Sequence, residues 1–158
     1  MKFQFNDGGR SAYFKGTDAR DCVARAIAIA AQRDYKEVYD RLADGNAARG
    51  GKRSARNGIM TKHKWFKDYM TKLGFVWTPT MTIGSGCTTH LRDDELPDGR
   101  LVCKVGRHLV AVVNGVINDT HDCSRNGTRC VYGYWNRTRH TQTNNKGEDD
   151  GRLSLCNG

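Results

Sequence analysis

Long apolar runs and proline are what this chain has least of. No stretch approaches the ~20 apolar residues a membrane span needs. The opening MKFQFNDGGR lacks the apolar middle of an export signal. A soluble, cytoplasmic protein with no membrane partner is therefore expected. Two prolines in 158 residues leave regular structure largely uninterrupted. Acid is scarce only locally: residues 47–72 hold 8 Lys or Arg and a single carboxylate, Asp68. Paired metal-ligand spacings are missing as well. Structural zinc sites repeat ligands a few residues apart at both ends, and only Cys87-Thr88-Thr89-His90 and His121-Asp122-Cys123 come near that. No metal and no cofactor is expected. No helix-turn-helix, zinc finger or aromatic RNA-binding signature is present either.

The length suits one core, since a chain near 150 residues buries roughly 70% of its unfolded surface. A single domain is expected over 1–135, with a basic loop at 47–58 and a polar, flexible tail at 136–158. In a reducing compartment the 6 cysteines read as free thiols rather than disulfides. The formal charge is +9, and residues 47–72 supply +7 of it. Lys52, Arg53, Arg56, Lys62 and Lys64 are thus candidate docking residues for an acidic protein or for nucleic acid. The regions outside that segment are left nearly neutral.

Helical spacing dominates the first half. Val23, Ala26, Ile27 and Ala30 share one face of an Ala-rich run from Cys22 to Gln32, with Asp21, or Asp18 a turn earlier, as N-cap. Tyr35, Val38, Tyr39 and Leu42 predict a second helix over 34–44, stopped by Gly45. Trp65, Phe66, Tyr69, Met70 and Leu73 predict a third over 61–73. The second half reads as strands: one or two within 75–83, then 101–105 and 108–113. Asn114-Gly115, a type I′ hairpin signal, joins the last of these to 116–118, and 130–135 follows. Phe3 and Phe5 suggest a short strand at the start. Cys103 and Cys130 fall inside predicted strands as core residues. Helices first and antiparallel strands afterwards describe an α+β domain, N-terminal helices packed on a small antiparallel sheet.

That order also places chemistry. A cysteine at a helix N-terminus sees unpaired N–H groups and partial positive charge, which favour its thiolate. Cys22 meets that condition; Arg25 would favour the thiolate further, whereas Asp21 would oppose it. His108 opens the hydrophobic strand HLVAVV and is the candidate base. Pairing about the Asn114-Gly115 turn brings the Asn118-Asp119 pair beside it. Alternation lets only one of those side chains face the imidazole; Asp119 is favoured because its charge stabilises imidazolium, with Asn118 the alternative.

Cys at a helix start, His at a strand start and Asp or Asn on the next strand is an order that resembles the papain-like cysteine peptidases. RDCVARAIA is similar to the nucleophile segment of ovarian-tumour deubiquitinases and to bacteriocin-processing peptidases. DCVARAIAIA with RHLVAVVNGVINDTHD and GTRCVYGYW resembles a family of small tailed-phage proteins described as peptidase-like, over about residues 17–135. The resemblance implies a papain-like fold, Cys22 as nucleophile, His108 as base and Asp119 as orienter, working on a protein substrate in the host cytoplasm. It departs from the papain pattern at the oxyanion hole: GTDAR holds no Gln before the cysteine, leaving Gln4, Asn6, Thr17 or a backbone amide as the partner donor. The expected function is a cysteine peptidase or isopeptidase. The alternative is a non-catalytic protein that binds a host factor or nucleic acid through 47–72.

Overall fold

The computed structural model describes residues 1–138. In chain order it holds β1 (Lys2–Phe5), a 3-10 turn (Arg10–Ala12), α1 (Cys22–Ala31), α2 (Tyr35–Ala47), α3 (Lys64–Lys72), β2 (Phe75–Pro79), β3 (Arg100–Val105), β4 (His108–Val113), β5 (Val116–Asp119) and β6 (Gly133–Arg137). The strands form one 6-stranded sheet in the order β1-β5-β4-β3-β6-β2, and the class is α+β. The sheet is mixed rather than antiparallel. β1 pairs parallel with β5, Phe3 opposite Ile117, because all three helices and three other strands lie between the two in sequence and supply the long crossover that a parallel pair requires.

α1 is apolar apart from Arg25, and all its residues from Val23 to Ala31 are buried. A helix of that kind belongs inside. It lies on the sheet face that carries Val102, Leu109, Ala111 and Trp135, and its alanines allow close approach to the strands. Each fully buried Ile or Val side chain contributes about 1.5–3 kcal/mol. Two arginines fix its far end: Arg100 donates to the carbonyls of Ala30 at 2.9 Å and Ile29 at 2.6 Å, and Arg137 to that of Ala31 at 2.7 Å. Both the orphan carbonyls and the negative end of the helix dipole are satisfied this way. A second apolar cluster, including Leu91, Leu101, Val110, Ile117 and Val131, fills the opposite face of the sheet.

Several expectations change at the elements' ends. α2 runs through Gly45 to Ala47, because Gly45 is where the Trp65 ring packs against the helix. Only one strand, β2, occupies 75–83. β6 starts at Gly133 and takes in Asn136 and Arg137, so the domain reaches past 135 into the expected tail. Cys130 lies outside any strand; a single bridge to His90 brings it beside Cys87, and the two are joined as a disulfide. Free thiols throughout is therefore corrected, while Cys103 is a fully buried free cysteine as expected. The loop at 47–58 is tied down: Asn46 donates to the Ser54 carbonyl at 2.8 Å and Ala55 is buried. Residues 139–158, with Cys156 and most of the expected tail, lie outside the described residues. No helix among the described residues is long and apolar enough to cross a membrane.

Candidate active site

Cys22 is the first residue of α1, and Asp21 is its N-cap residue. The expected cap hydrogen bond is not made, since the Asp21 carboxylate turns inward instead. It accepts from Arg10 Nε at 3.0 Å and Arg25 Nε at 2.9 Å, and from the Tyr35 hydroxyl in a short contact. Two guanidinium groups offset its charge, so the opposition to a thiolate expected of Asp21 is largely removed. The diversion has a second effect. No side chain caps the first turn of α1, leaving the N–H groups at Cys22 free to meet an anion.

β4 delivers His108. The hairpin turn is as read, with Asn114 and Gly115 both at positive φ, 47° and 75°. Its register pairs Val113 with Val116 and Ala111 with Asn118, which carries Asp119 on to the neighbourhood of His108. His108 Nε2 and Asp119 Oδ2 are 2.5 Å apart. With Nε2 engaged, Nδ1 is the ring nitrogen left for the thiol. Asn118 points elsewhere: its Oδ1 accepts from Asn6 at 3.1 Å and its Nδ2 donates to the Val116 carbonyl at 2.9 Å. Between the two candidate orienters, the geometry selects Asp119.

Electrostatics follow the same line. Burial pushes the Cys22 thiol up, but His108 beside it, the Leu109 backbone N–H and the positive charges of His108 and Arg25 outweigh that, holding it below its ordinary 9.0. Burial alone would lower His108; Asp119 foremost, then Cys123 and Cys22, hold it well above its ordinary 6.5. Asp119, whose burial would raise it, is kept low by His108, the Thr120 N–H and Arg25. The two shifts together favour a thiolate beside an imidazolium over a neutral thiol beside a neutral imidazole.

The pair opens into a cleft of about 820 Å³. Its walls are basic although most of the regions that build it are nearly neutral in sum: Arg20, Arg25, Lys62, Lys104 and Arg107 line it, and no carboxylate does. Only Lys62 of these comes from the basic segment. The other candidate docking residues are otherwise engaged: Arg53 with Asp44 at 2.8 Å, Arg56 with the Asp18 carbonyl at 2.7 Å, Lys64 with Asp68 at 2.7 Å. Lys52 is exposed on the loop. Among the side chains considered for the oxyanion hole, Thr17 lines the cleft, Asn6 is bound to Asn118, and Gln4 sits on β1 opposite Asn118.

Sequence reading missed the inward network of Arg10, Asp21 and Tyr35, for which the short polar segment before α1 gave no periodic signal. It also missed Lys104, and there a signal existed. In LVCKV, Lys104 shares its side of the strand with Val102, which is buried under α1. His121 lies beside His108, with ring centroids 5.4 Å apart and the rings tilted by 41°. His108, Asp119 and His121 could together offer three ligand atoms within 4.8 Å of one another. They do not fit a cation well, because Asp119 Oδ1 already accepts from Arg25 at 2.6 Å and Oδ2 faces His108. Comparisons with protein-family models, with curated proteins and with solved structures return no match for this chain.

Proposed function

We propose that this chain is a thiol hydrolase of papain-like design, a cysteine peptidase or isopeptidase that cleaves a protein substrate through a thioester. One observation carries the reading: a helix-start cysteine with a lowered pKa shares an open cleft with a histidine whose far nitrogen lies 2.5 Å from a buried aspartate.

The chemistry then follows. Cys22 Sγ attacks the scissile carbonyl carbon, and the carbonyl oxygen takes up the electron pair as an oxyanion. The backbone N–H of Cys22, at a helix start with no side-chain cap, and the side chain of Thr17, a cleft-lining residue, are the candidate donors to it. As the C–N bond breaks, imidazolium His108 gives its proton to the departing amine, leaving an S-acyl enzyme. Water attacks the thioester, His108 takes the water's proton, and the C–S bond breaks to release the acid and regenerate the Cys22 thiolate with imidazolium. Asp119 holds the ring in place and stays ionised throughout. On the same reading the protein is phage-encoded and acts in the host cytoplasm.

Labelling with iodoacetamide at neutral pH, read by peptide mass analysis, tests this. Cys22 is expected to react much faster than Cys156, and His108→Ala to slow it by at least about tenfold. If Cys22 reacts no faster than Cys156 and His108→Ala changes nothing, the hydrolase reading is lost.

A further inference from the structure

Beside the Cys22 cleft, and sharing Thr61, Lys62, Lys104 and Leu109 with it, lies a smaller pocket of about 280 Å³. Its apolar surfaces are Trp77, Trp135 and Leu109; its basic residues are Lys62, Lys67 and Lys104. No carboxylate lines either space.

The indoles are held rigidly. Trp135 is 7% exposed and meets the buried Phe66 ring edge to face at 6.1 Å. Trp77, 37% exposed, packs on Trp135 at 5.2 Å and lies so close over Gly133 that an added Cβ there would be 2.3 Å from its ring. An apolar recess that is formed before any ligand arrives loses little entropy on binding.

Lys104 carries the argument further. It sits in β3, an interior strand of the sheet, opposite Leu109 and Gly133, where the pattern of the strand calls for an apolar residue facing α1. Lys104 is half-buried there, between the apolar Leu109 and Gly133 on the neighbouring strands. Among the described residues neither Lys104 nor Lys62, Lys67 or Arg107 takes part in an ion pair. Breaking the local pattern without a partner inside the fold is the mark of a residue whose partner arrives with a ligand.

We propose that this pocket is the specificity subsite of the hydrolase: it takes a large apolar side chain of the substrate, while Lys62, Lys67 and Lys104, with Arg107 at the catalytic end, take carboxylates flanking it. The substrate class is an acidic peptide segment with an aromatic or large aliphatic residue close to the scissile bond. A peptide is favoured over nucleic acid because the recess shares Thr61, Lys62, Lys104 and Leu109 with the Cys22 cleft, where the proposed chemistry acts on a peptide bond. The inference rests on the hydrolase reading for its purpose, not for its measurement.

Binding tests it directly. Full-length Cys22→Ala protein, which cannot turn over, is titrated calorimetrically with a peptide of sequence type Asp-Glu-Trp-Gly-Asp and with its Lys-for-acid counterpart. The acidic peptide is expected to bind at least about tenfold tighter. Lys104→Glu should remove that preference, Trp77→Ala should weaken the acidic peptide by about tenfold, and Lys104→Met, which keeps the packing, should also weaken it. Equal binding of the two peptides, or affinities indifferent to Lys104→Met and Trp77→Ala in folded protein, overturns the proposal. So does a single-stranded oligonucleotide that binds tighter than the acidic peptide and displaces it. Iodoacetamide reactivity of Cys22, measured separately, reports on the hydrolase reading alone: a reactive Cys22 with no charge preference sinks the subsite and spares the enzyme.

Discussion

Arg25 Nη1 reaches Asp119 Oδ1 at 2.6 Å while His108 Nε2 meets Oδ2 of the same carboxylate at 2.5 Å. One helix residue, a turn after Cys22, thereby fixes the carboxylate that meets His108. Arg25 also donates to Thr120 Oγ1 at 3.1 Å and to Asp21 at 2.9 Å, so α1 and the end of β5 are joined through one guanidinium. Removing it leaves two buried carboxylates underpaired. Arg25→Met is expected to cost about 3–5 kcal/mol of unfolding free energy in urea titration. Arg25→Lys, which keeps the charge but not the fork that reaches both carboxylates, should recover only part of that.

The pH dependence of Cys22 alkylation has a definite sign. Its thiol is held below 9.0 and His108 above 6.5, so the thiolate–imidazolium pair occupies the window between the lowered thiol and the raised imidazole. The alkylation rate should fall as pH drops through the lowered thiol pKa, and level off above it. In His108→Ala the main attraction is gone while burial remains; the inflection is expected to move up toward or past 9.0. Rates measured across pH 4–10, a range of roughly the span over which these side chains titrate, check this. An unchanged inflection would mean that the imidazole does not act on the thiol.

Stability carries the opposite signs for Asp119 and His108. Asp119, lowered on folding, stabilises the fold above its unfolded value, and that contribution is lost as pH falls through the folded one. His108, raised on folding, stabilises fully below 6.5 and loses its contribution as pH climbs through the folded value. Asp119→Asn is therefore expected to flatten both limbs of a stability-against-pH curve measured by urea unfolding, because each group's shift depends on the other.

Cys22, His108 and Asp119 were legible in the sequence because their placement depends on local rules: a helix start, a strand start, and a two-residue turn that fixes hairpin register. What escaped depends on contacts between distant segments. Asp21 looked like a cap, yet Arg10 and Tyr35 compete for it from outside the helix. Charge summed along the chain put the basic surface in 47–72, but folding brings Arg20 from before α1, and Lys104 and Arg107 from the β3–β4 hairpin, to the cleft that Lys62 also lines. Gly45 stops a helix only when the next residues have nothing better to do, and here Trp65 needs the space it leaves.

The Cys87–Cys130 disulfide closes a loop with a sequence separation of 43. Chain-entropy arguments give about 4 kcal/mol for a loop of that size, with measured values commonly about 2–4. The bond lies outside the group formed by Cys22, His108 and Asp119, on the connector that covers the far side of the sheet. Adding a thiol reductant, or replacing both residues by Ser, is expected to lower the urea midpoint without altering Cys22 alkylation kinetics. A matching fall in Cys22 reactivity would show that the connector helps shape the cleft.

Gly45→Ala separates two effects of opposite sign. In an ordinary helix interior, alanine is favoured over glycine by about 1 kcal/mol. At Gly45 the added Cβ would stand 2.4 Å from Cζ3 of the Trp65 ring, and two further ring atoms would be 2.6 Å away. The indole has little freedom to yield, being packed edge to face on the fully buried Phe66 at 6.0 Å. Its N–H is buried with no hydrogen-bond partner, so shape alone holds it. Overpacking costs about 1–3 kcal/mol, and against a bulky ring the upper half of that range applies, enough to exceed the propensity gain. Thermal unfolding of Gly45→Ala should show a net loss of about 1 kcal/mol or more, whereas Trp65→Leu combined with Gly45→Ala should recover the alanine's helical advantage. A Gly45→Ala protein more stable than the parent would mean that the indole moves aside freely, and that α2 continues through Gly45 for reasons of its own.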